Sequence, residues 1–414
     1  MKFIPGTTYI PASGKVFDHH EIDNAIQVAK NGWWTEEEFA KRFKKDFASY
    51  LGVRYVSLVN SGSSANLLAL TALTSSVFGA KTLRPGDEAI TVACAFPTTV
   101  NPIIQNRCVP VFVDVDPGTK NPTCEAIERA ITRKTKAIML AHTLGNPLPL
   151  KSIMRLVAKY HIWFIEDCCD ALGSRYGGKL VSTFGHVATF SFYPAHQITM
   201  GEGGAVVTDN PFIHKALRQF RDWGRDCWCD TGKDNTCKRR FDWQLGELPK
   251  GYDHKYIYSQ IGYNLKLTDF QAAIGVAQLK KLPGFIKRRK DNFEKLYLFF
   301  KQYDKYFILP SWEKEADPCW FGFMVVVKEN APFSRLEIIQ YLENHGVGTR
   351  NLFAGNLLRH PAYIGRQDIR VAGSMKNSDM IMNNGFWIGV YPGITPKMRI
   401  YVMNTFSDFL RQYK

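Results

Sequence analysis

EAITVACAF (residues 88–96), VPVFVDVD (109–116), KAIMLAH (136–142), IWFIED (162–167), ATFSFY (188–193) and GAVVTD (204–209) are short apolar runs rich in β-branched and aromatic residues, and stretches of helical length separate several of them. Strands that alternate with helices build βαβ units, whose parallel sheet is covered on both faces. The pattern predicts an α/β large domain with a mostly parallel sheet over roughly residues 50–210. After an irregular, cysteine-containing insertion at 225–260, Thr268 is placed to cap the helix DFQAAIGVAQLKKL, and Pro283 is expected to stop it. The amphipathic stretch FIKRRKDNFEKLYLFFKQY then leads into a smaller C-terminal α+β domain with the strand FGFMVVV, the helix SRLEIIQYLEN and its terminating Gly346. The division expected is 1–285 for the large domain and 286–414 for the small one.

A chain of 414 residues, 45% hydrophobic, is long enough to bury a core in each of two domains. Its first residues lack the positive start, apolar run and small-residue cleavage site of a secretory signal. No apolar stretch nears the roughly 20 residues of a membrane span, so a cytoplasmic location is expected. The net charge of +15 favours anionic partners. The basic residues are scattered, however, and the clusters Lys238–Arg239–Arg240 and Lys287–Arg288–Arg289–Lys290 read as solvated surface. That disfavours nucleic acid and membrane and leaves phosphorylated substrates or an acidic redox protein.

Three local features carry chemistry. NSGSSANLLALTAL, from Asn60, is a turn of small residues opening a helix, which serves either simple capping or the binding of a phosphate by backbone amides and the positive helix end. The run IWFIED ends in Glu166 and Asp167 at the carboxyl edge of the sheet. A carboxylate there either caps a loop or holds a pyridine nitrogen protonated, which makes the ring an electron sink. In SFYPAHQITMGEGGAVVTDN, Ser191 stands five residues before His196, and a glycine-rich turn follows.

Taken in order, Gly62–Ser63–Ser64, Phe96, Asp167, Ser191, the GEGG turn and GYNLKLTDFQAAIGVAQL resemble the DegT-type sugar aminotransferase family over nearly the whole chain. The resemblance implies a fold-type I, pyridoxal-phosphate-dependent transferase fold like that of aspartate aminotransferase, assembled as a homodimer. It implies that Gly62, Ser63, Ser64 and Ser191 hold the cofactor phosphate, that Phe96 stacks on the ring, that Asp167 pairs with the pyridinium and that Asp170 adjoins the cofactor. Asn264 is then expected to reach the neighbouring subunit's cofactor. In the family pattern the position of His196 is the lysine that binds the cofactor covalently. Imidazole forms no stable Schiff base, so the cofactor is expected to persist as pyridoxamine 5'-phosphate, with His196 as general base. The lysine-to-histidine change and SFYPAHQITMGEGG resemble a subgroup, the nucleotide-sugar 3-dehydratases, in which the cofactor amine condenses with a C4 ketone and the C3 hydroxyl leaves.

Nine cysteines in a chain without an export signal are not expected to pair as disulfides, and three of them crowd into GRDCWCDTGKDNTCKRRF, which points to metal or redox chemistry. Fifty-seven residues separate Cys169 from Cys227, one separates Cys227 from Cys229, and seven separate Cys229 from Cys237. This spacing is similar to that of the iron-sulfur subtype, the CDP-6-deoxy-4-hexulose-3-dehydrases. It implies that Cys169, rather than its neighbour Cys168, joins Cys227, Cys229 and Cys237 as ligands of a [2Fe-2S] cluster; a zinc site is the alternative. Because Cys169 follows Asp167 by two residues, the cluster is expected to lie near the cofactor.

The implied reaction is reductive C3 deoxygenation of a nucleotide-linked 4-keto-6-deoxyhexose, CDP-4-keto-6-deoxyglucose, for 3,6-dideoxysugar and O-antigen synthesis. Electrons are expected from an NADH-dependent iron-sulfur flavoprotein reductase. Alternatives are an iron-free, glutamate-coupled GDP-4-keto-6-deoxymannose 3-dehydratase, a sugar aminotransferase, and a catalytically dead binding protein. Arg218, Arg225 and Arg350 are candidates for the substrate diphosphate, or else for surface salt bridges.

Overall fold

All six apolar runs fold as strands, and a seventh strand precedes them. In the computed structural model, which describes residues 3–229 and 232–413, the strands are β1 (Tyr55–Val59), β2 (Glu88–Val92), β3 (Val109–Val113), β4 (Thr135–Ala141), β5 (Trp163–Asp167), β6 (Val187–Ser191) and β7 (Gly204–Thr208). Their order in the sheet is β1-β7-β6-β5-β4-β2-β3, with the short strand Arg370–Val371 added beyond β3. Strands β2 to β6 run parallel, and β7 runs antiparallel between β1 and β6. The mostly parallel sheet expected from the sequence is therefore present. Every residue of β2, β5 and β7 is buried, as a sheet covered on both faces requires.

The register puts functional groups in a row. Ala141 pairs with Asp167 across β4 and β5, and Asp167 pairs with Thr189, two residues before the end of β6. Ser191, the last residue of β6, lies opposite Gly204, the first of β7, which in turn faces Val59 at the end of β1. The helix Glu38–Leu51 covers this region with Phe39, Phe43, Phe47 and Leu51, one helical turn apart and all buried. Phe47 meets Phe190 edge-on at 5.1 Å and Phe192 at 5.6 Å.

Asp269–Phe300 is one continuous helix of 32 residues, with Pro283 inside it. The expectation that Pro283 ends the helix is thus corrected. A proline forfeits one backbone hydrogen bond and costs about 3 kcal/mol in a helix interior. Here burial on both sides of it outweighs that loss: Ala272, Ala273, Val276 and Leu282 pack into the large core, and Phe293, Leu296 and Phe300 into a second one. A second correction concerns the basic cluster at 287–290, since Arg289 is fully buried. Four consecutive residues of a helix point around its whole circumference, so one of them faces inward.

The second core lies against a four-stranded antiparallel sheet in the order Phe307–Ile308, Gly322–Val327, Gly385–Gly389, Thr349–Arg350. Ser334 and Glu337 form the capping box of the helix Arg335–Asn344, and Gly346 ends it in the left-handed conformation at φ 72°. No described helix is long and apolar enough to cross a membrane.

Replacing Phe47 by alanine removes a fully buried ring from the contact between helix and sheet. The expected loss is about 3–5 kcal/mol of unfolding free energy, measured by urea titration.

Candidate active site

A cavity of about 610 Å³ opens at the carboxyl edge of the sheet, between the large core and the small domain. Gly62, Ser63, Phe96, Asp167, Cys169, Asp170, Ser191, His196 and Arg350 all line it. Of the residues singled out for the cofactor, Ser64 and Asn264 do not.

Asp167 is buried at the end of β5. Its Oδ2 accepts hydrogen bonds from Asn66 Nδ2 at 2.8 Å and Thr99 Oγ1 at 2.7 Å, and its Oδ1 accepts one from the Cys169 amide at 3.1 Å. Thr189 Oγ1 fixes the Asn66 amide by donating to its Oδ1 at 2.6 Å. All three contacts to Asp167 are donors, which is the surrounding a carboxylate needs. The neighbouring Glu166 points to the other face of the sheet, as strand alternation dictates. There it accepts from the amides of Ser182, Phe184 and Gly185 and lies 3.1 Å from His142 Nε2.

The helix Gly62–Ala72 starts at the cavity with Ser61 as its cap. Ser61 Oγ accepts from the Ser64 amide at 3.1 Å, and the Ser64 hydroxyl donates to Asn60 Oδ1 at 2.6 Å. Ser64 therefore serves the cap, while Ser63 is exposed to the cavity. Glycine is required at 62, because a Cβ there would stand 2.3 Å from the Ser191 Cβ. That closeness brings the end of β6 against the helix start, so free amides and the Ser191 hydroxyl face one spot. Phe96, 51% exposed, presents its ring to the same space.

The His196 ring is held 5.3 Å from that of Phe321, centroid to centroid. Its Nδ1 is buried without a hydrogen-bond partner and lies 3.5 Å from Asp170 Oδ1. Arg289 fixes the backbone at this point. Its guanidinium donates to the carbonyls of His196 at 2.9 Å, Ala195 at 3.3 Å, Phe321 at 3.2 Å and Trp320 at 3.3 Å, tying the histidine loop to the small domain. Gln197 ties the same loop to the carbonyls of Asp170 and Cys319.

The group implied by the sequence fits this wall. A phosphate suits the helix start and Ser191, a pyridine nitrogen suits Asp167, and the aromatic ring suits Phe96. His196 brings a nitrogen base and no amine. Asn66, Thr99, Thr189 and Arg289 were not anticipated. Their partners come from elsewhere in the chain, and Asn66 alone had a signal, standing one helical turn after Gly62.

Of the four cysteines, Cys169 alone lines the cavity. Cys227, Cys229 and Cys237 gather around His254 in the insertion, and none of them lines the cavity that holds Cys169. Among the described residues, Cys227, Cys229 and His254 form a compact potential metal-ligand group. Cys169 sits between Asp167 and Asp170, and burial together with these carboxylates pushes its thiol well above the ordinary range. Burial also pushes on Cys229, but hydrogen bonds from Thr236, the Cys237 backbone and His254 pull its thiol down to about 6. Of the three arginines, only Arg350 lines the cavity; Arg218 donates to the Trp228 carbonyl at 2.6 Å, and Arg225 packs over the Trp223 ring.

A model of the DegT/DnrJ/EryC1/StrS aminotransferase family matches residues 16–407. The lipopolysaccharide biosynthesis protein RfbH of Salmonella typhimurium is 51% identical over 407 residues, which cover 98% of this chain and 93% of that protein. The dTDP-4-dehydro-2,6-dideoxy-D-glucose 3-dehydratase of Saccharopolyspora spinosa is 47% identical over 408 residues, covering 99% and 88%. Among solved structures, the E. coli GDP-4-keto-6-deoxy-D-mannose-3-dehydratase with bound hydrated PLP matches with a TM-score of 0.86 at 28% identity, covering 96% of this chain and 99% of that one. The fold is thus the pyridoxal-phosphate-dependent α/β fold expected from the sequence.

Asn66→Ala takes one donor from Asp167 at the cavity wall. Because a hydrogen bond to a charged group contributes about 1.5–3 kcal/mol, pyridoxamine phosphate is expected to bind at least about tenfold more weakly, as read by fluorescence titration.

Proposed function

This chain belongs to the DegT/DnrJ/EryC1/StrS aminotransferase family, and we propose that it removes the C3 hydroxyl of a nucleotide-linked 4-keto-6-deoxyhexose instead of transferring an amino group. The observation that carries this reading is His196: the cavity offers an imidazole and no amine at the place where the family binds its cofactor covalently. Pyridoxamine phosphate, when bound, supplies an amine for the sugar ketone and a ring that accepts electrons while the hydroxyl leaves as water.

The chain's own residues do the rest. The amides at Gly62 and Ser63 and the Ser191 hydroxyl hold the phosphate, Phe96 covers the ring, and Asp167 faces its nitrogen. Asp170 stands at Nδ1 of His196, so Nε2 is the atom left to take and return a proton. The Arg289 contacts keep that nitrogen in place at no cost in mobility during turnover. Arg350, at the cavity wall, suits the substrate diphosphate by its planar fork.

The substrate we assign is CDP-4-keto-6-deoxyglucose, with dehydration followed by reduction as a step toward 3,6-dideoxysugars of the O antigen. In balance, ketosugar, NADH and a proton give the 3-deoxy ketosugar, water and NAD+. Electrons come from an NADH-dependent iron-sulfur flavoprotein reductase by way of a [2Fe-2S] cluster held by Cys169, Cys227, Cys229 and Cys237. The likeness to a relative named for lipopolysaccharide biosynthesis and to one named as a 3-dehydratase supports this class of reaction. The three gathered cysteines favour it over an iron-free dehydratase. Asn264 is exposed and outside its own cavity, and the nearby Ile261 is 95% exposed, which supports a homodimer in which that segment meets the partner.

The test supplies CDP-, dTDP- and GDP-linked 4-keto-6-deoxyhexoses with pyridoxamine phosphate, NADH and such a reductase, and identifies products by mass spectrometry. The expected product has lost one oxygen and kept its C4 ketone, with CDP preferred; an amino sugar formed with glutamate overturns the reading. His196→Ala is expected to slow turnover by roughly 10²–10⁴-fold, the range of general acid–base catalysis, while pyridoxamine phosphate still binds.

A further inference from the structure

A second recess lies away from the cavity, where the helices Glu38–Leu51 and Pro211–Arg221 meet the insertion beside β1, the edge strand of the large sheet. It has a volume of about 350 Å³ and adjoins another of about 210 Å³. Tyr55, His214 and Arg218 line both, so the two form one groove. Cys229 lines one end of it and Cys227 the other, and the bond from Arg218 to the Trp228 carbonyl holds the residue between them against the wall.

The groove is basic. Lys44, Lys45, Arg54, Lys215, Arg225 and Lys233 all line it, and the side chains of Arg54 and Lys215 are 71% and 59% exposed. The acids on the same walls are engaged within the chain. Glu36 lies 3.0 Å from Arg221 Nη2 and 2.7 Å from Lys44 Nζ, Asp222 lies 3.0 Å from Arg221 Nε, and Asp226 accepts from Gln219 Nε2 at 2.7 Å; Glu37 is the remaining one. Arg225 Nε is buried without a hydrogen-bond partner. His214, stacked on Tyr55 at 4.5 Å, reports the field on the floor: burial, with the charges of Arg218, Arg221 and Lys44, pulls its imidazole down to about 4.

A concave wall of one charge concentrates anions and steers an oppositely charged protein toward it. Here the cations stand around two thiols of the cysteine-containing insertion, a setting that suits electron chemistry better than phosphate binding. We propose that this groove is the docking surface for an acidic iron-sulfur protein, drawn to it by charge and set beside Cys227 and Cys229. The surface stands on the groove alone, while the occupant's role as electron donor rests on the reductive function proposed above. Each docking passes one electron, the donor being oxidised and the chain reduced. Two electrons and two protons replace the C3 hydroxyl by hydrogen and release it as water.

The experiment uses the full chain loaded with pyridoxamine phosphate, iron and sulfide, and an acidic plant-type [2Fe-2S] ferredoxin as the probe. Carbodiimide joins lysine amines to carboxylates in contact, and mass spectrometry is expected to find the ferredoxin linked to Lys45, Lys215 or Lys233. Binding is read by calorimetry across a salt series. Lys45→Glu, Arg54→Glu and Lys215→Glu together are expected to weaken it at least about tenfold and to flatten its salt dependence. Lys134→Glu, Lys376→Glu and Lys397→Glu together make the same change of net charge on exposed residues elsewhere, and are expected to leave binding within about twofold of wild type. Pyridoxamine phosphate binding checks that each variant is folded, and the wild-type cross-links stand even where a variant is not. Cross-links confined to other lysines, equal weakening in both triple variants, binding indifferent to salt, or a single-stranded oligonucleotide held in the groove more tightly than the ferredoxin overturns the proposal. Ferredoxin seated in the groove with no deoxygenated sugar formed from any donor leaves the surface standing and sinks the reductive reading; reductive turnover that the groove variants leave intact does the converse.

Discussion

Asp167 is a buried carboxylate satisfied by hydrogen-bond donors alone, with no ion pair among the described residues. Taking such a group out of water is costly, and a site that leaves it without a cation is held ready for one. The rest of the cavity is arranged about that requirement. The parallel strands bring Ala141, Asp167 and Ser191 to one edge. Gly62 lets the helix start touch β6, and His196 faces the same space from a loop fixed by Arg289. The helix start with Ser191 and the buried Asp167 are thereby set a fixed distance apart by the strand spacing of the sheet.

Much of this was legible in the sequence, for physical reasons. Apolar runs of strand length announce a doubly covered sheet, and Gly62, Asp167, Ser191 and His196 sit where such a sheet ends. The direction of β7 was not legible, because an apolar run reads the same in either sense. The helix through Pro283 was misread because local propensity weighs the lost hydrogen bond and cannot weigh the two cores gripping Leu282 and Phe293. Arg289 looked like solvated charge because four adjacent basic residues hide which one faces inward. Asn66 and Thr99 lie 101 and 68 residues from Asp167, and their pairing exists only after folding.

The cysteines illustrate a different limit. Spacing in a sequence identifies residue types that suit a metal, yet it cannot say which of them meet. Cys169 and Cys237 are equally good ligands on paper. In the fold, one stands between two carboxylates and the other beside an imidazole.

The helix Asp269–Phe300 joins two of the three hydrophobic cores, and Arg289 within it is bonded to the backbone on either side of the cavity. Neither half of the molecule can melt without unravelling the rod that stiffens the other. Heat and denaturant should therefore act on the two lobes as one cooperative unit rather than in separate stages.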